Sequence, residues 1–248
     1  MSLRTYLAAT ARILTQLRAD RRTLVLISVV PSVLLTLLYF VYVDSAGGDV
    51  LFNRVAVSMM AILPMTMMFL VTSIAMLRER TSGTLERLWT TPTYRADLLF
   101  GYATAFSATA VVQILVLCAV GAWGLDVEVE AAWGWVVLVG LLDAFVGIAL
   151  GLIVSAFARS EFQAVQFVPV VIIPQLFLCG LLVPRDQLPR ALEVVGGVLP
   201  MSWGIDVVDE LRTVADPSGD LTRNLVYLLC FGLVALVLAA LTVPRRTR

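Results

Sequence analysis

Six long apolar stretches dominate this chain, at roughly 24–43, 55–77, 98–123, 133–157, 165–183 and 225–243. About 20 mostly apolar residues are needed to cross about 30 Å of hydrocarbon, and in lipid every backbone polar group must find its partner inside the segment. The stretches therefore read as membrane-spanning helices, and the fold class is an all-α membrane protein treated as one domain over 1–248. Composition agrees: 60% of the 248 residues are hydrophobic and 15% charged, against about 45–50% and about 25% in soluble domains. A soluble enzyme is excluded. The first stretch reads as a retained span, because 23 residues with five Arg precede it and no clear small-residue cleavage site follows.

Arginine placement sets the expected orientation. The chain has no Lys, and its 18 basic residues balance 18 acids. Thirteen Arg fall on one side: Arg4, Arg12, Arg18, Arg21 and Arg22; Arg78, Arg80, Arg87 and Arg95; Arg159; and Arg245, Arg246 and Arg248. Five fall on the other, namely Arg54, Arg185, Arg190, Arg212 and Arg223, together with Asp44, Asp49, Asp126, Glu128 and Glu130. Six spans with both termini cytoplasmic satisfy every loop at once.

The missing chemistry is informative too. The balanced charge gives no basic surplus for nucleic acid. No His is present, which removes the usual general base and the usual metal imidazole. Cys118, Cys179 and Cys230 lie inside apolar runs and read as packing residues, so no metal site is expected. An intramembrane protease lacks its Ser-His dyad. An ion-driven secondary transporter remains as an alternative of another class, but it calls for intramembrane charges or paired broken helices.

Three pieces are not spans. Residues 1–22 place Leu3, Tyr6, Leu7, Ile13, Leu14 and Leu17 within an arc of about 120° at 100° per residue, while Arg4, Arg12 and Arg22 point elsewhere. That pattern predicts an amphipathic helix along the cytoplasmic interface, its Arg near anionic headgroups. The polar stretch 78–97 continues a helix past the membrane, is interrupted at Ser82 and Gly83, and carries an apolar knob of Leu85, Leu88 and Trp89. Such a knob costs free energy unless a partner or the chain itself covers it. The long segment 184–224 predicts two short half-buried external helices.

Two motifs give these pieces a context. Glu79-Arg80-Thr81-Ser82-Gly83-Thr84-Leu85-Glu86-Arg87-Leu88-Trp89-Thr90-Thr91-Pro92 matches E-R-x-S/G-G-T-L-E-x-L-x-x-T/S-P. After the fifth span come Cys179-Gly180, Pro184, Leu188-Pro189, Pro200, Trp203 and Leu211-Arg212. In these features the chain resembles the permease subunit of type-2 ABC transporters, the ABC-2 exporters; Cys179 stands where Ser is commoner. The resemblance implies a non-catalytic subunit. The chain lacks the phosphate-binding G-x-x-x-x-G-K-[ST] loop, so ATP and Mg would sit on a separate ATPase subunit, present in two copies beside two permeases paired as a homodimer or heterodimer. Leu85, Leu88 and Trp89 are the implied docking contacts, with Glu79, Glu86 and Arg87 as their polar rim and Arg80, Gly83, Thr84 and Pro92 completing the coupling segment. Drug or antibiotic efflux is the first substrate expectation. Export of lipid, glycolipid or polysaccharide is the alternative within the family, and a bacterial inner membrane the expected location.

Inside the spans, Asp143 is the only deeply placed ionisable residue, on a face with Gly140, Ala144, Gly147 and Gly151. A structural hydrogen bond is expected there rather than a proton relay or substrate site. Pro169 and Pro174, with Gln166 and Gln175 nearby, predict a kinked fifth span that either lines a pathway or shapes packing. The Met run at 59–68 and Phe69 offer soft surface to lipophilic substrates or ordinary packing. Trp203, Leu199 and Val208, edged by Asp206, Asp209 and Glu210, predict an external gate tucked into the outer leaflet.

Overall fold

The computed structural model describes residues 3–45, 47–82, 95–215 and 218–242, and every regular element among them is helical. Six helices are long and apolar enough to cross a membrane, which makes this a multi-pass membrane protein. They are α2 (Arg21–Tyr42), α3 (Gly48–Thr81), α4 (Arg95–Ala119) with a closing π-helical turn Val120–Gly124, α5 (Trp133–Phe157), α6 (Glu161–Leu178) and α9 (Gly219–Thr242). The shorter helices are α1 (Leu3–Ala19), α7 (Arg190–Gly197) and α8 (Pro200–Thr213), with a 3-10 turn at Arg185–Gln187. The axes of α7 and α8 meet at 84°.

Local chemistry sets the joints. Asp20 separates α1 from α2: its side chain accepts from the Thr23 amide at 3.2 Å and from the Thr23 hydroxyl at 2.6 Å, filling an orphan donor at the start of α2. Those bonds hold the Asp20 carboxyl below the usual carboxylate range. Ser160 caps α6 in the same way through Gln163. Pro200 opens α8 at the first helical position, where its missing N–H costs nothing.

The core centres on α3 and α5, the most closely packed pair. Here the small-residue face of α5 meets the backbone of α3. A Cβ on Gly140 would lie 3.3 Å from the Met60 carbonyl oxygen, and one on Gly151 would lie 2.6 Å from that of Phe69. Gly147 sits directly against Met65. The close approach that small residues permit is thus the centre of the molecule. Met60, Met65, Met68 and Phe69 are buried in this core, so most of the methionine run serves packing.

Pro169 and Pro174 lie inside α6, which runs as one helix from Glu161 to Leu178; each proline removes one ladder bond. In the segment after α6, burial is unequal rather than shared. α8 buries Met201, Ile205, Val208 and Leu211, whereas Leu192, Val194 and Val195 of α7 are exposed. On α1, Ile13 and Leu17 enter the core, but Leu3 and Leu7 stay exposed.

Candidate coupling and gate sites

The last turn of α3 distributes three consecutive side chains to three other helices. Arg78 forms a two-pronged pair with Glu161 at the start of α6, Nε to Oε1 at 2.8 Å and Nη2 to Oε2 at 2.9 Å. Glu79 receives Arg12 of α1 at 3.3 Å, with its side chain only 11% exposed. Arg80 donates to the Ser155 carbonyl near the end of α5. Residues 100° apart on a helix point in different directions, so a charged tripeptide at a helix end can bind neighbours on several sides. Glu79, expected on a docking rim, is engaged inside the chain by Arg12, and Arg12, expected among lipid headgroups, faces Glu79.

α1 also holds the far arm of the same connection. The Thr5 hydroxyl donates to buried Asp97, near the start of α4, at 2.7 Å. Tyr6 and Thr104 share a 2.7 Å hydrogen bond. Gly101 allows the contact: a Cβ there would sit 3.2 Å from that of Ala9 and 3.3 Å from the Thr10 amide nitrogen. α1 therefore grips α3 just before the expected coupling segment and α4 just after it. Gly83, Thr84, Leu85, Glu86, Arg87, Leu88, Trp89 and Pro92, expected to form that segment, lie outside the described residues.

At the opposite end, Gly180 adopts φ +98, a left-handed conformation suited to glycine, and so turns the chain out of α6. Arg185 reaches forward to pair with Asp206 of α8. Trp203 anchors the hairpin: its indole N–H donates to the Gly197 carbonyl at 3.0 Å, and its ring lies 5.4 Å from that of Tyr227 and 6.0 Å from that of Phe231, both on α9. Gln175 joins α6 to α8, accepting from the Met201 amide at 3.5 Å and donating to the Val171 carbonyl at 2.9 Å. Pro184 and Pro189 flank the 3-10 turn before α7, with Leu188 half-buried between them, and Arg212 lies 3.7 Å from Asp209. Gln166, Pro169 and Pro174 are exposed on one side of α6.

Asp143 departs from its expected hydrogen bond. The residue is 2% exposed, and neither carboxylate oxygen has a hydrogen-bond partner among the described residues. It packs against Gly204 of α8, where a Cβ would come within 2.8 Å of Oδ1. The glycine at 204 makes the space for this carboxyl group.

Comparison with known proteins places this arrangement. The family described as "ABC-2 type transporter" matches residues 4–211, most of the chain. The chain belongs to the ABC-2 type transporter family. The matched region is the membrane domain of that family, a non-catalytic part. This ABC-2 chain is 24% identical to the probable multidrug ABC transporter permease YbhR of Escherichia coli over 167 residues, 67% of this chain and 45% of that protein. It is 28% identical to nodulation protein J of Rhizobium meliloti over 172 residues, 68% of this chain and 64% of the relative. With ABC transporter G family member 20 of Dictyostelium discoideum the identity is 32% over 130 residues, 52% of this chain and 18% of that protein. The ABC-2 chain thus spans less than two thirds of the length of each of these relatives.

Arg12, Thr5, Asp97 and Arg185 are contacts of this ABC-2 chain that motif reasoning missed. Their partners lie between 21 and 92 residues away in sequence. A hydropathy pattern carries no signal for such pairs. The one available hint was an ionisable residue, Asp97, placed at the very edge of an apolar stretch.

Proposed function

We propose that this chain is the permease subunit of an ATP-driven exporter that moves an amphipathic or lipophilic compound out of the cell, with drug or antibiotic efflux as the substrate class. Two permease copies and two ATPase subunits would form the working assembly, in a bacterial inner membrane, with the arginine-rich end and both termini in the cytoplasm. ATP and Mg would be held by the ATPase subunits.

The observation that carries this reading is the double grip of α1, on Glu79 through Arg12 and on Asp97 through Thr5. A push on the segment between those residues reaches α1, α3 and α4 together. Arg78 and Arg80 extend it to α6 and α5. In this account ATP binding favours one arrangement of the permease pair, and the differential affinity for the two states supplies the shift. Trp203, Arg185 and Asp206 hold the outer hairpin shut until substrate leaves.

α2 and α6 are the least buried of the candidate spans, at 22% and 17% of the most apolar window, and both pack on α3. Their exposed apolar faces are suited to a second permease copy or to lipid. The test is co-purification from the native membrane followed by reconstitution. An ATPase companion and compound-stimulated ATP hydrolysis are expected, with lipophilic drugs as the stimulating compounds. Stimulation by lipids or glycolipids alone would move the substrate assignment, and transport driven by an ion gradient without ATP would overturn the reading.

A further inference from the structure

A cavity of about 660 Å³ opens between α1, α2, α3 and α4 at the arginine-rich end. That volume lies within the range of about 300–1,000 Å³ found for sites that hold drug-sized molecules. Its walls are apolar and well anchored: Ile13 of α1, Ile27 of α2, and Tyr102 and Phe106 of α4 are each at most 2% exposed. On α2 the lining runs from Asp20 to Val30, and at 1.5 Å per residue the cavity descends about 15 Å from the interface. Its polar groups are confined to one end, where Gln16, Asp20, Thr23, Arg78, Glu79 and Ser82 form the rim. The cavity is therefore amphipathic along its own length, in the same sense as the leaflet beside it.

The rim charges define the head group. Arg78 is committed to Glu161, and Glu79 to Arg12. Asp20 makes no salt bridge among the described residues, and its carboxylate, bonded to Thr23, is ionised at neutral pH. Among the charged residues that line the cavity, Asp20 and Glu79 outnumber Arg78 by one. Arg18, Arg21 and Arg22 are exposed and do not line it, and Arg22, like Arg78, is near enough to favour the ionised Asp20 carboxylate.

We propose that this cavity binds a single-headed amphipathic cation, taken from the leaflet at the arginine-rich end, with its apolar body among Leu26, Val30 and Val71 and its positive group beside Asp20. The role in transport rests on the permease reading; the binding itself does not. Leu26 of its apolar wall is 59% exposed, so an amphiphile already concentrated in the membrane phase can reach the site.

The test titrates the chain in lipid nanodiscs, with its ATPase companion, against rhodamine 6G and fluorescein, which share a three-ring body and differ in charge. Fluorescence anisotropy is read after subtraction of empty discs. Rhodamine 6G is expected to bind saturably, and fluorescein at least about tenfold more weakly. Asp20→Asn keeps the helix cap but removes the charge; it should weaken rhodamine binding about two- to fivefold. Val71→Trp, which fills the cavity, should weaken it at least about tenfold; if that variant does not assemble, Ala75→Leu takes its place. Equal binding of both dyes, or titrations unmoved by D20N and by the filling variant, would overturn the site. So would an absence of saturable binding, the result expected if a second copy of the chain or a bilayer lipid occupies the cavity. Intact binding with no effect on ATP hydrolysis would instead count against the permease reading and leave the site standing.

Discussion

Asp143 and Gly204 form a size-matched pair: one carboxyl group with no hydrogen-bond partner among the described residues, and one missing side chain that accommodates it. Inserting a methyl at 204 forces contact with Asp143, and overpacking of this kind costs about 1–3 kcal/mol. Gly204→Ala should lower the melting temperature in detergent, and Asp143→Ala in the same chain should recover part of the loss, a coupling that a double-mutant cycle measures. Asp143→Asn, nearly the same shape without the acid, should leave transport intact; loss of transport with unchanged melting would instead assign the carboxyl a proton-handling role. At the other end of the molecule, Asp20 contributes through its ionised form. Its hydrogen bonds with Thr23 lower the folded-state pKa, so the contribution is present above the unfolded value of about 3.9 and is lost as pH falls through the lower folded value. Thermal melts from pH 7 downward should therefore show an acid-dependent loss in wild type that is smaller in Asp20→Asn. Equal losses would contradict the capping account.

Among the elements, α1 carries the most consequence for its length. It contributes the partner of Glu79, the partner of Asp97 and one wall of the cavity. Arg12→Ala and Glu79→Ala should each weaken the coupling of ATP hydrolysis to transport, with an interaction free energy of about 0.5–1 kcal/mol for this partly exposed pair. The signature is preserved ATP hydrolysis with reduced transport per ATP, and unchanged coupling in both variants would remove α1 from the force path. At the end away from Arg78, cysteines at Trp203 and Phe231 joined by a short bifunctional maleimide should fix α8 to α9, stopping the proposed export while the ATPase companion stays bound. Undiminished export would remove the hairpin as a gate.

These elements also separate what the sequence states from what it leaves open. Hydropathy is a property of each segment alone, so the apolar runs and the amphipathic period of α1 could be read directly. The joints at Ser82 and Pro200 follow equally local rules. Partner choice does not. Whether Arg78 meets Glu161, or Arg12 meets Glu79, depends on which helices lie side by side, and apolar stripes of similar composition leave that open. Unequal burial of α7 and α8 was hidden for the same reason: their composition is alike, and only packing against α3, α5 and α9 distinguishes them.

At the scale of the whole molecule, the proposed entry point for force is the connection from α3 to α4. The described helices form a core around α3 and α5, with α2 and α6 left exposed at its flanks. The connection from α3 to α4 is held on both sides by α1. A nucleotide-driven partner gripping that connection would move the helices that enclose the cavity and, through Arg78 and Arg80, those that lead to the α7–α8 hairpin. The most direct test replaces the apolar knob, Leu85→Asp with Leu88→Asp and Trp89→Ala, and asks whether the ATPase companion still co-purifies with a chain of unchanged melting temperature. Loss of the companion together with compound-stimulated ATP hydrolysis is the predicted result. A stable chain that keeps its companion, and still transports at the wild-type rate per ATP, would contradict the account.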